Sequence, residues 1–216
     1  FAQNAGAMFG QGNPDRTSRP HSGQSSMSRA LIALGGNLDR PVQRLLKVMA
    51  ELDDLPHTQL LRVSSLYRTA PVGYAEQPDF INAVALVETA LPPQALMSEL
   101  LAMEARHGRR RTLHNGPRTL DLDMLMHGGL LLDDSFVTLP HPRMHERAFV
   151  LTPLLEVEPE CVIPRHGAAR QLLAVCADRD EVVRLDGTGF DWGIHTLRKL
   201  GKGMVADHVY RGIGLH

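Results

Sequence analysis

Three features of this 216-residue chain predict an α+β fold. Apolar runs of strand length recur along it, two stretches with helical spacing lie between them, and Gly or Pro marks each change of period. Arg29 to Leu34 is a short apolar run that ends in Gly35-Gly36-Asn37, the punctuation of a strand turning into a helix. Asp39 can cap that helix and Pro41 suits its first turn. Val42, Leu45, Leu46, Met49 and Leu52 then follow helical spacing, with a stop near Asp54 ahead of Pro56. Gln59 to Tyr67 suits a strand, Arg68 to Asp79 has the Pro, Gly and Gln of a long loop, and Phe80 to Thr89 returns to strand character. Pro92 and Pro93 open a second helix, whose Leu96, Leu100 and Met103 share a stripe and which ends at Gly108. A basic loop from Arg109 to Arg118 leads into a last strand, Leu120 to Met126, closed by a turn at Gly128-Gly129. The order β-α-β-β-α-β is the ferredoxin-like plan, an antiparallel sheet with helices packed on one face. C-terminal helical additions are expected around Arg143 to Glu156 and Ala168 to Ala177.

The hydrophobic content of 43% supports one substantial core, so a single domain over residues 29–185 is expected. Residues 1–28 are rich in Gly, Ser, Asn, Gln and Pro without periodicity; they read as a disordered extension, with Met27 a possible natural start. Residues 186–216 are Gly-rich and read as a loosely ordered tail. Acids and bases number 24 and 23, a formal charge of −1, which gives no bulk attraction to nucleic acid or anionic membrane. No apolar stretch reaches the length of a membrane span and no signal-peptide pattern opens the chain, so a cytoplasmic protein is expected. Cys161 and Cys176 lie outside any zinc or redox spacing and are expected to be buried thiols.

The run Asn115-Gly-Pro-Arg-Thr-Leu-Asp-Leu-Asp123 carries the chemistry. Leu120, Leu122, Met124 and Met126 alternate with Asp121 and Asp123, so in an extended segment the apolar set faces one way and both acids the other. At a rise of roughly 3.3 Å per residue the carboxylates stand about 6.6 Å apart. That separation suits a pair of magnesium ions that also take oxygen ligands from a phosphate substrate and water. Two Asp on one face of a strand repel unless a cation lies between them. Arg109, Arg110, Arg111 and Arg118 precede the acids closely. Lys occurs only at positions 47, 199 and 202, so phosphate binding mid-chain falls to Arg, and a Walker-type loop is absent. The segment Leu139-Pro-His141-Pro-Arg-Met-His145-Glu-Arg147 adds cations and rigid prolines. The long loop after Tyr67, with Gln77-Pro-Asp-Phe-Ile-Asn82, can form a pocket for a flat polar heterocycle. There Asn82 offers donor and acceptor together, and Phe80 or Phe149 can stack.

Five motifs in order carry a resemblance: Leu-Gly-Gly-Asn-Leu at 34–38, Ser-Ser-Leu-Tyr-Arg-Thr at 64–69, Gln-Pro-Asp-Phe-Ile-Asn at 77–82, Gly-Pro-Arg-Thr-Leu-Asp-Leu-Asp at 116–123 and Leu-Pro-His-Pro-Arg-Met at 139–144. Over about Ala30 to Leu185 the chain resembles the 6-hydroxymethyl-7,8-dihydropterin pyrophosphokinases of folate synthesis. The resemblance implies transfer of the β,γ-diphosphate of ATP to the hydroxymethyl group of the reduced pterin, with release of AMP. It implies that Asp121 and Asp123 bind two magnesium ions and that Arg109 and Arg118 act with them in catalysis. Glu104, Arg111, His141 and Arg147 would attend the nucleotide. Thr69, Val72, Phe80, Asn82 and Phe149 would form the pterin pocket, the two rings sandwiching the heterocycle. Gly36 stands where Ser is usual, Ala70 where Pro is, Phe80 where Tyr is frequent, and Asn115 where a large aromatic often closes over the pterin. A monomer acting on small molecules is expected.

Other classes share parts of this pattern. RNA-binding modules use the same element order but stack bases on aromatics of central strands, and Leu120 to Met126 has none. Nucleotidyltransferases place a Gly-rich turn close to their D-x-D, whereas Gly36 and Asp121 are far apart in sequence. A catalytically silent relative would not need the intact acids and arginines.

Overall fold

A computed structural model describes residues 26–71, 76–109 and 116–185. Nearly all of the expected N-terminal extension, the tail 186–216, and Val72, Arg110, Arg111 and Asn115 lie outside the described residues. The main elements are β1 (Ser28–Gly36), α1 (Pro41–Leu52), β2 (Thr58–Val63), β3 (Tyr67–Thr69), β4 (Phe80–Thr89), α2 (Pro93–Arg106), β5 (Asp121–His127), α3 (Ala148–Val157) and α4 (Ala169–Val175). Every sheet pairing is antiparallel: β1 lies between β4 and β5, and both β2 and β3 pair with β4. The predicted strand from Gln59 to Tyr67 is therefore one strand with a break. At the break Ser64 exchanges bonds with Val84, and the Ser65 N–H and hydroxyl donate to Glu156 at 2.8 and 2.7 Å. With β2 and β3 taken together, the order is the expected β-α-β-β-α-β plan. A two-residue strand, Val183–Arg184, extends the sheet beyond β3 and is too short to leave a periodic signal.

The expectation of helices on one face is incomplete. Helices α1 and α2 cover one face, through Leu45, Met49, Leu100 and Met103, all fully buried. Helix α3, with α4 packed on it, covers the other, and its Leu151 and Leu154 meet Val84 and Leu86 of β4. Consecutive residues of β4 from Ile81 to Val87 are buried, which is what a strand covered on both faces requires. Each fully buried Leu or Met side chain contributes about 1.5–3 kcal/mol, so both layers are needed to hold the sheet.

Two local expectations are corrected. Asp39 does not cap α1: Asp39 and Arg40 have φ of 52° and 60°, no side chain caps the helix, and Pro41 begins it as its fixed φ favours. The alternation along β5 also stops early. Leu31 pairs with Met126 and Ile32 with Met124, so Leu125 is an extra residue, a β-bulge. The bulge moves Met126 off the face of Leu122 and Met124 and onto the α3 side, where Cys161 lies against it. Cys161 is buried and Cys176 half-buried, both as free thiols. Among the described residues no helix is long and apolar enough to cross a membrane.

Candidate active site

The pleat of β5 decides the site. Leu122 and Met124 enter the core beneath α1 and α2, which turns Asp121 and Asp123 together to the opposite face. That face opens into a cleft of about 410 Å³. Its floor is Ala33 and Gly35 of β1 with Asn82 of β4; Arg109 and Arg118 flank the acids, and His141, Arg147 and Phe149 face them from the α3 side. The bulge residue Leu125 accepts the backbone N–H of His141 at 2.8 Å, which fastens the His141–Arg147 segment over the acid face.

Asp121 is the ionic centre. Its two oxygens receive Arg109 and Arg118, each at 2.6 Å. Arg118 also lies over the Phe80 ring, 5.2 Å from its centroid. Arg109 pairs with Glu104 as well, and Glu104 accepts the Leu122 N–H at 2.7 Å. Glu104 is only 3% exposed, and burial raises its carboxyl pKa against the opposing pull of that backbone bond and of Arg109. Burial, and then the neighbouring Asp121 charge, also raise the Asp123 pKa. Burial lowers the pKa of His141, with Asp123 acting the other way, and lowers that of Arg147. The cleft thus holds an acid pair of close like charges, ringed by guanidinium groups. Among the described residues no three His, Cys, Asp or Glu side chains gather as a complete metal cage. Two carboxylates alone suit a hard cation whose remaining ligands are phosphate and water oxygens.

The Gly35-Gly36-Asn37 turn builds the wall behind Arg118. A Cβ on Gly36 would lie 2.7 Å from the Thr119 carbonyl oxygen, so this position admits no side chain without a backbone shift. Asn37, 4% exposed, accepts the Arg118 N–H at 2.9 Å and donates to Gln77 Oε1 and the Pro78 carbonyl at 3.0 and 2.9 Å. It therefore ties the arginine loop and the loop before β4 to the end of β1.

Residues 31–159 match the family 7,8-dihydro-6-hydroxymethylpterin-pyrophosphokinase (HPPK). The chain belongs to this family. It is 41% identical over 152 residues to the 2-amino-4-hydroxy-6-hydroxymethyldihydropteridine pyrophosphokinase of Haemophilus influenzae, covering 70% of this chain and 95% of that one. The enzyme of the same name from Pseudomonas aeruginosa is 43% identical over 150 residues, 69% of this chain and 93% of its own. Among solved structures, the wild-type HPPK-DHPS of Plasmodium falciparum with pteroate superposes with a TM-score of 0.55 at 14% identity, over 69% of this chain and 42% of that one. That likeness shows the fold. The pyrophosphokinase class holds for this chain, and the silent or RNA-binding alternative has no support.

Within this HPPK chain, Thr69, Phe80, Asn82, Arg109, Arg118, Asp121, Asp123, His141, Arg147 and Phe149 line one cleft. Asn82 donates to the Thr69 hydroxyl at 2.8 Å, and Arg147 covers Phe149 at 5.6 Å from the centroid. Glu104 is not on the cleft wall; it stands behind, holding Arg109 and β5 in place. Val72 and Arg111 lie outside the described residues. Sequence reasoning missed Asn37, whose signal was a polar residue fixed after a Gly pair. It also passed over Arg143 and Glu146, which line the same cleft. His145, four residues beyond His141, turns away and stacks on His166 with centroids 3.7 Å apart.

Proposed function

We propose that this chain transfers the β,γ-diphosphate of ATP to the hydroxymethyl oxygen of 6-hydroxymethyl-7,8-dihydropterin, within a domain spanning residues 29–185. The observation that carries the reading is that Asp121 and Asp123 open into one cleft with the aromatic and amide groups of Phe80, Asn82 and Phe149. A phosphate donor and a flat heterocycle therefore meet in one space. The alcohol oxygen attacks the β-phosphorus, the bond from that phosphorus to the α-bridging oxygen breaks, and AMP leaves while the alcohol gives up its proton.

Asp121 and Asp123 would hold two magnesium ions, and the donor set fits: two hard carboxylate donors lie on one strand face, and Arg109 and Arg118, paired with Asp121 here, would turn to the phosphates once its oxygens ligate the ions. When bound, magnesium neutralises charge on the phosphate oxygens and aligns them. The side chains do the rest. Arg109, Arg118 and Arg147 present forks to phosphate oxygens and His141 donates a further bond, while the resemblance assigns Arg111, outside the described residues, to the same nucleotide. Asn82, held by Thr69, recognises the amide edge of the pterin while Phe80 and Phe149 enclose its faces; the resemblance assigns Val72, outside the described residues, to the same pocket. Positioning two bound reactants in line supplies much of the rate. The chain acts as a cytoplasmic monomer without a nucleic-acid partner; its near-balanced charge supports the last of these.

The test uses purified protein, ATP, magnesium and the pterin, with nucleotides separated by chromatography. AMP is expected to appear in step with pterin diphosphate; ADP with pterin monophosphate would refute the reading.

A further inference from the structure

Arg143 and Glu146 line the cleft at its α3 side and have no part in the reaction as described so far. Arg143 Nε donates to Glu146 Oε1 at 3.1 Å, and both side chains are half exposed, at 53% each. An ion pair between such exposed groups is weak and readily exchanged. The backbone N–H of Arg143 donates to Nδ1 of His141 at 3.2 Å. In the neutral ring that bond leaves Nε2 carrying the proton, a donor free for a ligand oxygen. Arg147, at the start of α3, has no carboxylate within ion-pair distance among the described residues, and Arg143 is the strongest like charge acting on it. Two guanidinium groups and a donating imidazole thus gather at this wall, and the Glu146 carboxylate beside them is paired with Arg143. Such a group of donors suits an extended polyanion that reaches out from the acid pair.

We propose that Arg143 is a further phosphate-binding residue of the cleft, and that Glu146 holds it in reserve by competing for its guanidinium. The Arg143–Glu146 pair then opens when a polyphosphate chain enters, because a phosphate accepts two parallel N–H bonds where Glu146 takes one. This inference rests on the diphosphate-transfer reading of the same cleft. Its distinctive consequence is that removing the two partners moves nucleotide affinity in opposite directions.

The experiment is calorimetric titration of magnesium with a non-hydrolysable ATP analogue into the wild-type chain, Arg143→Ala, Glu146→Ala and the double variant. Arg143→Ala is expected to weaken binding by about tenfold, the scale of one charged hydrogen-bonding group. Glu146→Ala is expected to tighten it by about two- to threefold, since a weak competitor is removed. The double variant should match Arg143→Ala. If both single variants weaken binding alike, or Arg143→Ala leaves it unchanged, the inference is overturned. Should Arg143→Ala not fold, Glu146→Ala decides alone: tighter binding supports the inference, and unchanged or weaker binding overturns it. A wild-type chain that binds no nucleotide would sink the underlying reading of the cleft. A wild-type chain that binds as tightly as Arg143→Ala would sink only this inference.

Discussion

Asn37→Ala should separate the role of the glycine turn from that of the acids. The substitution removes three hydrogen bonds of 2.9–3.0 Å, to Arg118, Gln77 and Pro78, from a residue that is 4% exposed. Each such bond contributes about 1 kcal/mol net, and leaving the buried Arg118 N–H without an acceptor adds a desolvation cost of similar size. The expected loss is about 4 kcal/mol, below the 5–15 kcal/mol typical of a domain, so the variant still folds. Urea unfolding should show a lower midpoint with an unchanged slope. Arg118 would also lose one of the bonds that set it against Asp121, keeping those from the Asn37 and Leu38 N–H groups, so turnover should fall by about 10- to 100-fold, the cost of small misplacement in a positioned site. A stability change under about 0.5 kcal/mol together with normal turnover would refute the reasoning.

Gly36→Ala should lose about 1–3 kcal/mol in urea unfolding, because its Cβ would press on the Thr119 carbonyl; an unchanged midpoint would mean that the turn relaxes freely. Tyr67, 8% exposed, donates to Glu156 at 3.0 Å, and burial followed by the Glu156 charge pushes its pKa up to about 12. Because the folded value lies above the ordinary phenol value, the associated stability is present below pH ~10 and is lost as pH rises through ~12; it amounts to about 2–3 kcal/mol. Tyr67→Phe should abolish that difference in unfolding measured between pH 9 and 12, and an identical pH dependence would count against it. Phe149→Ala should weaken pterin binding by about tenfold in a calorimetric titration, the loss of one aromatic wall, and equal affinity would remove this ring from the pocket.

The acid pair was legible because its information is local. A period of two fixes which way Asp121 and Asp123 turn, and the structure keeps both on one face. The glycine pair before Asn37 marked the turn, but the bonds from Asn37 run to residues 40 and 81 positions away, which no spacing rule reveals. The second helical layer had a visible signal, the apolar run Ala83 to Val87 of β4, which fits cover on both faces better than on one. The bulge at Leu125 had none, since it arises from pairing with β1 rather than from the β5 sequence. Glu104 shows a further limit. The resemblance sets it beside the nucleotide, and the strand beside it supplies a backbone donor that draws it inward.

The most direct measurement is turnover of Asp121→Asn and Asp123→Asn, with circular dichroism confirming the fold and AMP release as the readout. Each substitution keeps side-chain size while removing one negative charge from the cleft. A fall of about 1,000-fold or more in each variant is expected if the acids hold the charge of the transfer site. Near-normal AMP release from either folded variant would contradict the central claim.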